Sequence, residues 1–267
     1  MTGQLLGQPH EIKERRIDVR GTDIHVSSGG TGPALLILHA AGGAGAWLPV
    51  YSALATSFTV IVPEHPGFGR SAPLPGGDQV QDLAFHYADL LDLLEIDRVA
   101  VIGASFGGWI GAELALIEPQ RLSHLVLVDA IGLRIPGAPI QDMFMMDPGE
   151  LMAKLFQDPA VPARLFPAEP SLDFITAMYK DEATFARYAW TPFCCNPKLP
   201  GRLHRIKAKT LVLWGEHDAI VPLAHGQRYA AAIPGAELQI VPAAGHAPLM
   251  ESPDAVAAVA LPFLMTA

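Results

Sequence analysis

The sequence is poor in cysteine, short of basic charge and free of long apolar runs, and each shortage removes a class of protein. Only Cys194 and Cys195 occur, side by side, and two adjacent cysteines cannot make a disulfide framework. They read as small buried or half-buried thiols. Lysine and arginine number 18 against 27 acidic residues, a formal charge of −9, and no basic run is present. The electrostatic footprint of a nucleic-acid binder is therefore missing. No stretch of about 18 consecutive apolar residues occurs, which leaves nothing to span a membrane. The opening stretch, Met1 to Arg16, is polar and has no apolar h-region, so it does not read as a signal peptide and points to the cytoplasm. Metal motifs are missing too: there is no H-E-x-x-H and no Cys/His cluster, and His217 and His225 flank Asp218 without ligand spacing.

What is present is a half-apolar chain with 17% charged residues, a balance that suits a well-buried globular enzyme and excludes a disordered one. Its 267 residues fit a single large α/β domain. Arg15–Arg20 and Asp23–Ser27 alternate around Gly21 as a hairpin would. Ala34–Leu38, Phe58–Val62, Arg98–Ala104, Leu125–Asp129, Thr210–Trp214 and Glu237–Val241 are short apolar runs of the kind buried on both faces of a parallel sheet. Helical patterns alternate with them over Trp47–Leu54, Gln79–Leu94 (with Asp78 as N-cap), Gly107–Ile117, Leu223–Ala232 and Asp254–Phe263. Strands alternating with helices predict a mostly parallel sheet covered on both faces.

From Gly132 to Arg205 that rhythm stops, and short helical patterns over Gly149–Gln157, Ser171–Tyr179 and Asp181–Trp190 take its place. So long a stretch between two strands is no simple loop. The division expected is a core of residues 1–131 and 206–267 and a helical cap of residues 132–205. The cap is rich in methionine and aromatics, among them Phe144, Met146, Met152, Phe156 and Trp190. Most would glue cap helices together, but a cap also roofs a pocket, and pockets are lined by such groups. An apolar or aromatic small-molecule substrate is expected. Arg134 and Arg187 are candidates to grip a substrate carboxylate, but solvated surface suits them better, and Trp109 suits the core.

The chemistry centres on Gly103-Ala104-Ser105-Phe106-Gly107, a G-x-S-x-G pattern. The bare pattern arises easily by chance, but here it follows the strand VAVIGA and opens the helix GGWIGAELALI, the strand–turn–helix it requires mechanically. A serine hydroxyl needs an adjacent base to become a nucleophile. His246, in AAGHAP after the last strand, is the candidate. The imidazole in turn needs a carboxylate to hold its tautomer, and Asp218 in WGEHDAIVP serves, with Asp129 and Glu216 as competitors. Two backbone donors are expected for an oxyanion. One is the N–H of Phe106 at the start of its helix; the other is Ala41 in HAAGGAG, with Gly42 as the alternative. No Lys-Ser/Thr follows these glycines, so they form no P-loop.

HAAGG, PEHPGFGRS, GASFGG, LWGEHDAIVP and AAGHAPLMESP together resemble the α/β-hydrolase family over nearly the whole chain outside the cap. The resemblance implies an eight-stranded sheet, a cap over the site and no cofactor. It assigns Ser105 the nucleophile position, where dehalogenase and epoxide-hydrolase branches carry Asp. Ala40 stands where Gly usually follows the histidine, which narrows the expected oxyanion loop. The function expected is cleavage of a carboxylic ester or lactone through an acyl-enzyme. A second expectation is carbon–carbon bond hydrolysis of aromatic meta-cleavage products. That branch tends to carry Asn ahead of the nucleophile and Trp after the histidine, places held here by Ala104 and Ala247. A third is a non-catalytic small-molecule receptor on the same scaffold.

Overall fold

The computed structural model describes residues 11–266, so the first ten residues of the polar N-terminal stretch lie outside what is described. Eight strands form one sheet: β1 (Lys13–Val19), β2 (Thr22–Gly29), β3 (Ala34–Leu38), β4 (Thr59–Pro63), β5 (Val99–Ala104), β6 (Leu122–Val128), β7 (Lys209–Gly215) and β8 (Glu237–Val241). Their order is β1-β2-β4-β3-β5-β6-β7-β8. The hairpin β1–β2 and the β2–β4 pair are antiparallel, and all other pairs are parallel. The tight turn between β1 and β2 places Arg20 and Gly21 at positive φ.

Period-two alternation sorts the buried strand residues onto two faces. Leu36, Leu38, Val101, Leu125, Leu127, Val212 and Trp214 join one core cluster. Leu35, Ile37, Ala100, Ile102, Val126, Val128, Leu211 and Leu213 join the other. The helices α1 (Pro49–Leu54), α2 (Val80–Leu93), α3 (Phe106–Ile117), α4 (Pro148–Leu155), α5 (Ala160–Leu165), α6 (Leu172–Ala189), α7 (Ala224–Ala232), α8 (Pro248–Glu251) and α9 (Pro253–Leu264) follow in chain order. α2, α3 and α7 cover the first face, and α1 and α9 the second.

Three local expectations are corrected. The N-cap of α2 is Gln79, not Asp78, because Asp82 at the third helical position reaches back to the N–H groups of both residues. The segment expected as two helices, Ser171–Tyr179 and Asp181–Trp190, is the single helix α6, since neither Pro nor Gly interrupts its ladder. A further helix, α5, follows Pro159, its first amide capped by the Asp158 carboxylate at 2.8 Å.

Strand register decides where the functional loops emerge. Leu38 pairs Gly103, Ala104 pairs Val128, Val128 pairs Leu213, and Gly215 pairs Val241. The carboxyl ends of β3, β5, β6, β7 and β8 are therefore level. The loops carrying Ala41, Ser105, Asp129, Asp218 and His246 leave the sheet along one edge, the usual ligand edge of open α/β sheets.

Candidate active site

The turn from β5 into α3 is sharp enough to hold Ser105 at φ 50°, ψ −110°, a conformation costly for any residue with a Cβ. The surroundings enforce it. Ser105 donates its N–H to Val128 at 2.8 Å, and its carbonyl accepts from Ile131 at 3.2 Å. A Cβ on Gly103 would lie 2.3 Å from the Gly107 carbonyl oxygen, and one on Gly107 would lie 2.0 Å from that of Leu38. Only glycine at both places lets strand and helix approach this closely.

Three side chains from distant parts of the chain meet there. The Ser105 hydroxyl lies 2.9 Å from His246 Nε2, and His246 Nδ1 lies 2.8 Å from Asp218 Oδ2. The second oxygen of Asp218 accepts the N–H groups of Ile220 and Val221, both at 2.8 Å, so the carboxylate has no freedom to turn away. A carboxylate partner on Nδ1 keeps the ring proton there and leaves Nε2 free to accept from the hydroxyl. Both side chains of the His–Asp pair are buried.

The competing acids are used differently. Glu216 is exposed and accepts the Ala243 N–H at 3.0 Å. Asp129 is fully buried at φ 46°, accepts the Gly215 N–H at 2.8 Å through Oδ1, and leaves Oδ2 without a hydrogen-bond partner. Burial, and then the neighbouring Asp218 charge, push its carboxyl well above the usual carboxylate range. Two buried carboxylates this close cannot both ionise readily. Asp218, with its two backbone donors, is the one built to carry charge.

The loop after β3 is held by a buried network that sequence reasoning did not anticipate. The backbone N–H of His65 donates to His39 Nε2 at 2.9 Å, which leaves the His39 proton on Nδ1, donated to the Ala40 carbonyl at 2.7 Å. Nε2 of His65 in turn donates to the His39 carbonyl at 2.9 Å, and its Nδ1 accepts from the Tyr87 hydroxyl. The two imidazoles stack at 3.6 Å. Burial lowers His39 to about 4 and His65 well below its ordinary value, so both rings are neutral. Ala40's carbonyl also accepts from Gly43 at 3.1 Å. Because a trans peptide points its C=O and N–H in opposite directions, this grip also fixes the direction of the Ala41 N–H. The methyl of Ala40 adds no strain, as Ala40 is not among the described non-glycine residues at positive φ. Phe106, as the first residue of α3, keeps an amide with no intrahelical partner.

The helices between β6 and β7 close over this edge. Asp181 on α6 accepts the Gly69 N–H at 2.8 Å, Lys180 donates to the Gly69 carbonyl at 2.6 Å, and Thr184 donates to that of Gly67 at 3.1 Å. A Cβ on Gly43 would meet Asp181 Oδ2 at 2.7 Å, so this carboxylate stands beside the loop after β3. Phe185 packs edge-on against Phe106 at 5.2 Å and stacks on Phe144 at 5.2 Å. Trp109 is buried core, its indole N–H on Glu113, while Arg134 and Arg187 are exposed. Ser105 itself is buried, at 5% exposed. Among the described residues no three His, Cys, Asp or Glu side chains cluster as a metal site requires.

The family model of the alpha/beta hydrolase family matches residues 35–259. This chain belongs to the alpha/beta hydrolase family. Among curated relatives, a 2-hydroxy-6-oxo-6-phenylhexa-2,4-dienoate hydrolase of Burkholderia cepacia is 32% identical, over 90% of this chain and 91% of its own. Of solved structures, a hydrolase of the same name from Rhodococcus superposes with TM-score 0.79 at 22% identity, covering 97% of this chain and 100% of that one. The naproxen esterase of Bacillus subtilis superposes with TM-score 0.77 at 21% identity, covering 96% and 92%. At those identities the two structural likenesses establish the fold. The chain is thus an α/β hydrolase, and no helix among its described residues is long and apolar enough to cross a membrane.

Proposed function

We propose that this hydrolase cleaves carboxylic esters, lactones included, of uncharged apolar or aromatic small molecules through an acyl-enzyme. The observation that carries the reading is the unbroken hydrogen-bonded line from Ser105 through His246 to Asp218. In the first half-reaction the Ser105 oxygen attacks the ester carbonyl while His246 Nε2 takes its proton. Asp218 stabilises the imidazolium, and the N–H groups of Phe106 and Ala41 hold the oxyanion. The imidazolium then protonates the leaving alcohol. In the second half-reaction water, deprotonated by His246, attacks the acyl-enzyme and releases the acid. The reaction uses no cofactor.

The uncharged substrate class follows from local charge. Three acids stand at this edge, Asp129, Asp218 and Asp181; Lys180 of α6 also reaches it but is held on the Gly69 carbonyl, and Arg134 and Arg187 are exposed. The aromatic seam of Phe144, Phe185 and Phe106 suits an apolar or aromatic acyl group.

A second reading is carbon–carbon bond hydrolysis of a vinylogous diketone acid, favoured by the relative that is 32% identical and named for a dienoate. It would use the same serine and histidine, but its carboxylate would have to settle among acids. The two separate in one experiment. Steady-state turnover is measured on p-nitrophenyl esters of graded acyl length, on lactones and on a ring-cleavage dienoate, with Ser105→Ala as blank. Short and aromatic acyl esters are expected to lead. A higher kcat/KM on the dienoate would replace the first reading with the second, and a single stoichiometric acylation without turnover would mark a receptor.

A further inference from the structure

His246 sits on the loop between β8 and α8, and the residue before it is gripped by a carboxylate that plays no part in the relay. Oε2 of Glu251, at the end of α8, accepts the Gly245 N–H at 2.6 Å. Its Oε1 accepts the Asp158 N–H, also at 2.6 Å. Asp158 belongs to the corner between α4 and α5, in the helical insertion. One carboxylate therefore joins the loop that carries the base to the structure that covers it. The contact is close along its length: a Cβ on Gly245 would lie 2.6 Å from the Leu155 carbonyl oxygen and 2.9 Å from the Gln157 nitrogen. Phe156, between those two, is buried. On the opposite side a Cβ on Gly215 would lie 2.0 Å from the Gly245 carbonyl oxygen, so Gly245 is clasped between the end of β7 and the insertion.

We propose that Glu251 is a positioning residue which couples the seating of the α4–α5 corner to the placement of His246. Hydrogen bonds from N–H groups to an ionised carboxylate are among the stronger polar contacts a loop can make. With both made, the loop from Gly245 to Glu251 closes on itself and the imidazole is aimed at Ser105. When the corner lifts to admit a substrate, Glu251 loses one of its two donors and the loop its outer wall. The corner's return then restores the base to its working position over bound substrate. The coupling rests on the reading of His246 as general base, which fails on its own if His246→Ala keeps turning over esters.

The test compares Glu251→Ala and Glu251→Gln with the unaltered full chain. Three quantities are read: kcat and KM on a p-nitrophenyl ester, the rate at which a fluorophosphonate phosphonylates Ser105, and backbone hydrogen exchange. Phosphonylation forms the Ser105 O–P bond as fluoride leaves and His246 takes the hydroxyl proton, so it reports the base without any acyl chemistry. Glu251→Ala is expected to lower kcat and the phosphonylation rate together, by about 10- to 100-fold, as misplacement of a catalytic group does. KM should change little, and exchange should quicken in residues 155–160 and 243–247 alike. Glu251→Gln keeps one acceptor oxygen and is expected to lose less in every reading. If Glu251→Ala does not fold, Glu251→Gln decides on the same criteria. A fall in melting temperature with kcat and phosphonylation within about twofold of the unaltered protein would make Glu251 merely structural and overturn the proposal. Faster exchange in only one of the two segments would also overturn it.

Discussion

The carboxyl edge of the sheet and the helical insertion above it hold their side chains in opposite ways. At the edge each functional group is tied to buried backbone: Ser105 to Val128, Asp218 to Ile220 and Val221, Asp129 to Gly215, His39 to His65. Helices α4 to α6 of the insertion rest on the core through the polar contacts of Asp158, Lys180, Asp181 and Thr184 and through buried Phe185 and Tyr188. The flanks of the insertion are tied in further by the Gln141 N–H on the Ile220 carbonyl, the Ala138 carbonyl on His225 and the Asn196 amide on Glu113. Met145, Leu172 and Tyr179 stay largely exposed. A reaction needs atoms fixed within a fraction of an ångström, and a strand end locked on both sides supplies that. Helices α4 to α6, which carry fewer such ties, are the part of this edge most able to give as substrate enters. Chemistry is therefore expected to be sensitive to changes at the edge, and substrate choice to changes in the insertion.

The sharpest way to break that comparison is at the nucleophile. Ser105→Ala is expected to remove about 10⁶-fold of kcat on any ester, the scale seen when a triad serine is lost. Turnover above a few per cent would place the chemistry elsewhere. Next come the two carboxylates at the ends of β6 and β7. Asp218→Asn should cost about 10⁴-fold by upsetting the His246 tautomer, whereas Asp129→Asn, an isostere of the neutral acid, should stay within about fivefold in a residue touching no reacting atom. Equal losses in the two variants would refute the division of labour between them.

Acid should act on the fold through its buried histidines, His39 at the edge and His86 on α2 among them. An unfolded histidine binds a proton below about 6.5, but His39 and His86 stay neutral in the folded state down to about 4 because burial disfavours their charged forms. Between those values the unfolded chain holds more protons, so stability falls as pH is lowered, by up to about 1.4 kcal/mol per pH unit for each group. Melting temperatures recorded from pH 7 to pH 4.5 should decline steadily, and a flat profile would contradict the neutral network. Within the insertion, Asp181→Asn should raise kcat/KM for an anionic ester relative to a neutral one by about five- to tenfold, the scale of one nearby, partly screened charge. An unchanged ratio would remove Asp181 from substrate selection. The smallest effect is expected on the insertion's outer surface, where Leu172→Ser should shift stability by less than about 0.5 kcal/mol in denaturant unfolding.

Much of this was legible in the residues. Ala34–Leu38 and Glu237–Val241 are strands to the residue, since a short apolar run between turn signals has few other uses. The glycines around Ser105 announce a turn that no other residue allows. Reading α6 as two helices failed because helical periodicity says little about continuity where no breaker stands. Glu251, His39 and His65 lie inside the pieces AAGHAPLMESP, HAAGG and PEHPGFGRS, yet nothing local tells what each touches until its partner, Tyr87 or Asp158 among them, is beside it.

The sequence by itself determined the kind of chemistry, because the elbow, the strand ends and the order of serine, acid and base are written in short-range patterns that only one backbone geometry satisfies. Tertiary structure alone decided what the competing Asp129 does while Asp218, the acid read from the sequence, faces the imidazole, which nitrogen of His39 holds its proton, and that one glutamate clasps the covering helices to the base. Those outcomes depend on separations of a few ångströms between residues far apart in the chain, and such separations exist only once the sheet has aligned its strand ends.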